Sequence, residues 1–150
     1  MLRPRHGFTV IELAMVLTLM GIVTALSIPR VSAMRASAAM RSAKQEVAST
    51  LARARSLAVQ RGQTVRVTRD SSGLQVTTTS AGVELTLLRR RDLYTTNMVA
   101  LAGATEIAFD ARGSASGVAG VAVIRLARGA LADSVCVVRT GKILSQGCLP

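Results

Sequence analysis

Residues 3–31 read RPRHGFTVIELAMVLTLMGIVTALSIPRV, and one letter in that stretch decides how the chain is organised. Residues 8–28 form a run of 21 in which Glu12 is the only charged side chain. As a helix rising about 1.5 Å per residue the run is roughly 31 Å long, close to the ~30 Å hydrocarbon core of a bilayer. A carboxylate inside such a segment costs on the order of 2.5–3.5 kcal/mol on insertion scales, and nothing else in the run can pair with it.

Three readings of this N-terminus differ physically. A secretory signal peptide would use Arg3 and Arg5 as its basic region and Val31-Ser32-Ala33 as its cleavage site. Its apolar core, however, would be about 7–15 residues and would hold no glutamate. A plain membrane anchor accounts for the length and leaves Glu12 unexplained. A cut between Gly7 and Phe8 accounts for both, because the new amino group then stands one helical turn before Glu12, at the positive end of the helix dipole. In an assembly of parallel helices, the carboxylate of one subunit can also neutralise the terminal ammonium of the next.

Gly7-Phe8-Thr9-Val10-Ile11-Glu12, after a short basic leader and before about twenty apolar residues, resembles the type III signal of type IV prepilins and type II secretion pseudopilins. The resemblance implies that a prepilin peptidase cuts after Gly7 and methylates the amine of Phe8, and that Glu12 guides docking into a helical filament. It also implies an inner-membrane protein crossing once, with its C-terminal part periplasmic, whose partners are other pilin or pseudopilin subunits. Pro29 falls where many pilins carry a helix-kinking proline, and Gly21 is a second permissive point. Positive-inside counting is less clean, since Arg30, Arg35, Arg41 and Lys44 follow the span as Arg3 and Arg5 precede it; long C-terminal domains translocate largely regardless of such charge.

Past the apolar run the helix is expected to continue. Residues 31–60 contain no proline or glycine. Met40, Ala43, Val47, Leu51, Ala54 and Ala58 follow one another at steps of three and four, tracing one helical face suited to packing on a sheet. Gly62 is a natural stop, with Arg61 favourable beside the helix's negative end. The pattern then changes to period two. Residues 64–69 and 74–79 flank Asp70-Ser71-Ser72-Gly73, a hairpin signal, and residues 83–88, 105–109, 118–126, 134–139 and 143–146 read as further strands between Gly, Ser, Asn and Asp clusters. Arg89-Arg90-Arg91-Asp92 reads as a solvated strand end. The expected architecture is α+β: leader 1–7, membrane and filament-core helix 8–29, amphipathic continuation 30–62, and a β-rich head 63–150 of antiparallel sheet.

The C-terminal half narrows the likeness. Ile107-Ala108-Phe109-Asp110-Ala111-Arg112-Gly113, then a strand, then Val135-Cys136-Val137-Val138-Arg139-Thr140-Gly141-Lys142-Ile143 resembles the GspH/FimT-type minor pilins and pseudopilins. Cys136 and Cys148 lie on either side of the Thr140-Gly141 turn. A bridge closing those 13 residues stabilises by about 3 kcal/mol in the loop-entropy model and ties down the C-terminus. In an extracytoplasmic domain a disulfide is the expected state; two buried free thiols are the other reading, and no further ligands accompany them as a metal site would require.

Composition limits what such a chain can do. Its 150 residues carry a formal net charge of +11, and from Arg30 onward 17 basic residues face 7 acidic ones, a net of +10. A surface of that sign attracts polyanions and anionic membranes. The only histidine, His6, belongs to the leader, so the processed chain offers no Ser–His or Cys–His pair, and it carries no phosphate loop or spaced metal-ligand set. The chain is read as a substrate of enzymes and not an enzyme, with no cofactor. Two functions from different classes follow: a structural subunit that helps initiate or tip a type IV pilus or secretion pseudopilus, and a minor pilin that captures DNA. FimT-type proteins that bind DNA do so through basic residues at the C-terminal hairpin. Here Lys142 matches one such position and Leu144 replaces a second, while Arg125, Arg128, Arg139 and Lys142 form one basic face if their strands are neighbours. Only Tyr94 and Phe109 remain as aromatics beyond residue 8, so contacts would go to phosphates without sequence preference.

Overall fold

The computed structural model describes residues 8–80, 82–116, 120–145 and 148, the side chains of residues 26–30, 91 and 96 excepted. Gly7 and the rest of the predicted leader lie outside the described residues. The chain divides into two compact units, Met1–Ala36 and Ser37–Pro150. One helix, α1 (Val10–Arg61), contributes to both.

In the first unit α1 begins at a Thr9 cap, whose hydroxyl accepts from the Glu12 N–H at 3.3 Å. This is the arrangement that satisfies one of the free amides of a helix start. The hydroxyls of Thr18 and Thr24 donate to the Met15 and Met20 carbonyls of the preceding turn, so the helix meets its own minor polar needs. What remains is apolar in every direction: each described side chain from residue 8 to residue 25 is exposed, including Val10 at 87% and Met20 at 63%. Among the described residues no helix is long and apolar enough to cross a membrane; the predicted span runs through residues 26–30, whose side chains lie outside the description.

In the second unit the stripe read from the sequence is the packing face. Met40 is 6% exposed, and Ala43, Val47, Leu51, Ala54 and Ala58 are fully buried. Three alanines in that row let the helix axis approach the strands closely. The helix ends at Gly62, whose φ of 62° is the left-handed conformation glycine adopts at little steric penalty.

Among the described residues nine strands and one short helix follow: β1 (Val65–Arg69), β2 (Gly73–Ser80), β3 (Val83–Asp92), α2 (Leu93–Asn97), β4 (Ala100–Gly103), β5 (Glu106–Phe109), β6 (Ala115–Ser116), β7 (Val121–Arg128), β8 (Leu131–Val138) and β9 (Ile143–Leu144). They form two antiparallel sheets, ordered β3-β2-β1-β5-β6 and β4-β7-β8-β9. Register places Val65 between Thr78 and Phe109, and Val67 between Val76 and Ile107. These rows, with Ile124, Leu126, Val135 and Val137 of the second sheet and the α1 stripe, make one core. Thr78 is buried there, and its hydroxyl donates to the Thr64 carbonyl at 2.8 Å, as a buried polar group must.

Arg69 joins the two sheets. Its guanidinium donates to the carbonyls of Ala104, Leu101, Gly103 and Asp70 at 2.9–3.2 Å. A planar fork of donors suits four backbone acceptors on the β4–β5 corner and on its own turn.

Against the sequence-based expectation, β3 runs on through residues 89–92, and β8 begins three residues earlier than its apolar pattern indicates. The elements α2, β4 and β6 carry no expectation. α2 exists because Asp92 caps it, accepting from the Tyr94 and Thr95 amides at 3.0 Å, and because the Ser72 carbonyl takes the Leu93 and Tyr94 amides.

Candidate functional site

The residues singled out by sequence fall into three places. The first is the start of α1. Phe8 is 84% exposed, and Glu12 stands in the first turn of the helix. Its amide is used by Thr9, and its carboxylate has no bond to any other described residue. An acidic group at this point is favoured by the helix dipole alone, which makes Glu12 compatible with its own helix as well as with a partner.

The second place is the C-terminal hairpin. Cys136 and Cys148 are bonded as a disulfide. Cys136 pairs in register with Leu144 of β9, and the Cys148 sulfur lies 3.6 Å from the Leu144 carbonyl oxygen. The turn before β9 closes with the Gly141 amide donating to the Val138 carbonyl at 2.7 Å and the Val138 amide to the Lys142 carbonyl at 3.0 Å. The turn between β5 and β6 repeats the pattern: the Gly113 amide donates to the Asp110 carbonyl, and the Asp110 amide to the Ser114 carbonyl, both at 2.9 Å. Each is a three-residue loop ending in a left-handed glycine, with φ of 80° at Gly113 and 75° at Gly141. The Asp110 carboxylate holds the second turn by accepting from the Arg112 and Ser114 amides.

These two turns lie back to back. A β carbon on Gly141 would overlap the Gly113 carbonyl oxygen. That same oxygen accepts from Arg55 Nε of α1 at 2.9 Å, and the Ala115 amide donates to the Arg139 carbonyl at 3.0 Å. The two stretches that carry the family likeness thus meet in one place, under one arginine of the helix.

The third place is the set of basic candidates. β7 and β8 are neighbours, but the four residues separate along them. Arg125 pairs in register with Ser134, and Arg128 with Leu131 beside the β7–β8 turn. Arg139 and Lys142 sit in the β8–β9 turn, at the other end of β8. Eight residues of strand separate the level of Arg128 from Arg139, or about 27 Å. Arg139 and Lys142 are joined there by Arg112, exposed in the abutting turn, which sequence reasoning did not select because its approach depends on the contact between the glycines.

Lys44 of α1 bonds Asp133 of β8 through both carboxylate oxygens, at 2.7 and 2.8 Å. Burial pushes the Asp133 carboxyl up, but the Lys44 hydrogen bond, the Ser134 amide and the Lys44 charge together outweigh it and hold the group below the usual carboxylate range. Among the described residues no cluster of three or more histidine, cysteine or acidic side chains could hold a metal ion.

A family model described as Type II transport protein GspH matches residues 43–141. Type IV minor pilin FimU of Pseudomonas aeruginosa (strain PAO1), solved in two crystal forms, has a similar fold. One form superimposes with a TM-score of 0.61 at 18% identity, covering 72% of this chain and 88% of that one. The other gives 0.58 at 19%, covering 71% and 92%. No curated protein sequence matches the chain significantly.

Proposed function

Because the chain belongs to the GspH family of type II transport proteins, we propose that it is processed between Gly7 and Phe8 and enters a pilus or pseudopilus filament through the first half of α1. Membership makes it a minor pilin or pseudopilin of a type II secretion or type IV pilus system, a structural subunit and not an enzyme. The family implies a membrane anchor, a periplasmic domain and association with other pilin subunits.

The observation that carries the proposal is the apolar surface of the first unit, exposed on all sides from residue 8 to residue 25. A helix hydrophobic all round is stable only inside something else, whether lipid or a bundle of like helices. Residues 8–29 are read as that span, crossing the inner membrane before processing and lining the filament core afterwards. Prepilin peptidase is the enzyme that acts on Gly7 and Phe8, and Glu12 is the group that recognises the neighbouring subunit's amino terminus. Mass spectrometry of the protein from its native membrane tests this: the expected N-terminus is Phe8, methylated. An intact Met1 in cells with active peptidase, or a start at Met34, overturns the reading.

The second reading is DNA capture, and the grouping of Arg112, Arg139 and Lys142 around the abutting turns favours it. Three cations on exposed turns suit phosphates. Arg128, at the far end of the hairpin, would serve only a ligand long enough to run the length of β8, and Arg125 stands midway, level with Ser134.

A further inference from the structure

A cleft of about 180 Å³ opens between α1 and the β2–β3 hairpin. Its floor is aliphatic: Leu74 and Val76 of β2 are 2% and 0% exposed, and Leu88 of β3 pairs in register with Val76. Glu46, Thr50 and Arg53, at steps of four and three along one flank of α1, form one wall, and Arg89 lines the cleft from β3. In a regular strand Arg89 would point away from the helix, because its neighbour Leu88 points toward it. The β2–β3 ladder is irregular at this point. Arg91 faces Leu74 and Leu88 faces Val76, so β3 places Arg89 and Arg90 where β2 has Gln75 alone. A bulge of this kind re-aims a side chain. Arg90 turns to its own hairpin, bonding Asp70 at 2.7 Å and the Ser72 hydroxyl, while Arg89 reaches the cleft.

Arg53 and Arg89 are both exposed, and among the described residues neither has a hydrogen bond or ion pair. Two cations on one small cleft repel each other until an anion lies between them. The chain's own carboxylates are engaged. Beyond Arg30, Asp70, Glu106 and Asp133 are in ion pairs, Asp92 and Asp110 accept from nearby amides, and Glu46 is not free. Among the described residues of this half, Glu84 is the one carboxylate without a partner.

We infer, on the filament reading above, that this cleft receives an acidic segment of a neighbouring subunit of a different kind: a carboxylate lies between Arg53 and Arg89, and an adjacent apolar side chain fills the slot. The size suits one such side chain, since a cavity of about 150 Å³ accommodates benzene. A nucleic acid or a lipid headgroup would engage the guanidiniums and leave the aliphatic floor in water, whereas a protein segment uses both. A second copy of this chain is a poor occupant, because its head is equally basic and its one unpartnered carboxylate is Glu84. The helix wall also sets a direction: Glu46 stands about 10 Å before Arg53 along α1, so the carboxylate belongs at the Arg53 end.

Lysine chemistry provides the test. The chain has two lysines, Lys44 and Lys142, and an amine at position 53 or 89 keeps the charge of the arginine it replaces. In native membranes a carbodiimide joins such an amine to a touching carboxylate as an amide, itself taking up the water lost. Arg53→Lys and Arg89→Lys are each expected to give a cross-link, absent from the parent, to an aspartate or glutamate beside an apolar residue of a different pilin or pseudopilin subunit. On the full chain in detergent, the blocked peptide acetyl-Asp-Leu-Asp-amide is expected to shift the amide resonances of residues 74–76 and 88–89 saturably. Arg53→Gln and Arg89→Gln together should weaken that binding by roughly tenfold or more, as the loss of charge-assisted bonds implies, and a glycine at the centre of the peptide should weaken it as well. An amide to Glu46 of the same chain, to Glu84 of a second copy or to lipid, a yield no higher than the parent's, or peptide binding untouched by the glutamines each overturns the proposal. The N-terminus of the same sample separates the two ideas. With Phe8 at its start and no such amide, the cleft proposal alone falls; a chain starting at Met1 or Met34 that still binds the peptide loses the filament reading and keeps the ligand chemistry of the cleft.

Discussion

The carbonyl oxygen of Gly113 occupies the space that a β carbon on Gly141 would need. Two loops of the same design, 28 positions apart in sequence, meet through their glycines, and Arg55 of α1 bonds the oxygen between them. Any side chain at position 141 must therefore overcome both a left-handed φ of 75° and a clash with backbone. Gly141→Ala is expected to destabilise the full chain by about 2–5 kcal/mol, from strain and overpacking together. Gly141→Asn should rescue little, since asparagine tolerates the dihedral but still carries the β carbon. Gly129, left-handed at φ 57° with open space around it, provides the contrast: Gly129→Asn should shift stability by less than about 1 kcal/mol. Urea unfolding of the three variants checks the difference.

Arg69 anchors the β4–β5 corner through three backbone carbonyls and bonds a fourth, that of Asp70, in its own turn. Removing the fork leaves those acceptors to water or to nothing, so Arg69→Met is expected to cost about 1–3 kcal/mol. Arg69→Lys should recover less than half of the loss, because one ammonium cannot face four acceptors spread over a corner and a turn. Equal stability of the lysine variant and the parent in urea would contradict this account.

Three aspartates titrate below their ordinary value of 3.8. Desolvation raises Asp70, but the Ser72 and Gly73 amides, the Ser72 hydroxyl and the Arg90 charge together prevail. The Thr95 amide is the largest influence on Asp92 and lowers it. Asp133 is held down by Lys44 and Ser134 against its own burial. A carboxyl depressed in the folded state contributes stability that is complete above its unfolded pKa and lost as pH falls through the folded one. Stability should thus be level from about pH 5 upward in this respect and decline below about pH 4. Asp133→Asn should flatten part of that decline in a series of thermal melts between pH 2 and 6.

Glu12→Ala removes the one charge of the apolar run. Membrane insertion is expected to persist or improve, by about 2.5 kcal/mol or more on insertion scales, while incorporation into filaments falls. Membrane fractionation and immunoblotting of sheared filaments separate the two effects. Filament incorporation at the parent level would remove the pairing role assigned to this carboxylate.

The DNA reading has its own signature. Duplex binding by the processed full chain in detergent should be weak and steeply salt-dependent, and replacing Arg139 and Lys142 by alanine should reduce the salt slope by about two if each meets a phosphate. Arg128→Ala, at the other end of the hairpin, should leave the binding of short duplexes unchanged. Binding insensitive to salt would contradict phosphate contacts, and a slope unaltered in the double variant would move the site away from these turns.

The helix was legible in the sequence because its period is local: the residues at steps of three and four from Met40 to Ala58 are the buried ones, and apolar spacing alone marks them. The β1–β2 hairpin was legible for the same reason, since Asp70 accepts from amides two and three residues on. The elements that escaped depend on distant atoms. β4 is Ala-Leu-Ala-Gly, with no β-branched residue, and it is a strand because β7 lies beside it. The partners of Arg69 are backbone carbonyls, which no letter of the sequence distinguishes. Gly113 and Gly141 were recognisable as turn residues, but their contact, and with it the place of Arg112, arises from two hairpins of different sheets. The basic candidates show the remaining limit: neighbouring strands were inferable, whereas the level at which each side chain stands depends on register.

The exposed apolar surface from residue 8 to residue 25 has a thermodynamic consequence for any change of surroundings. Lipid tails and the flanks of identical helices hide apolar side chains almost equally well, so passage from one to the other gains little from hydrophobicity. The equilibrium between stored and assembled subunit is left to smaller quantities: how closely helices approach at Gly21, where no neighbouring atom lies within 4 Å of a would-be β carbon, and whether Glu12 has a cation to face. If the chain assembles as proposed, a subunit of this kind would be nearly indifferent to its solvent and sensitive to its neighbours, and transfer between lipid and a bundle of like helices would carry no large free-energy gap in either direction.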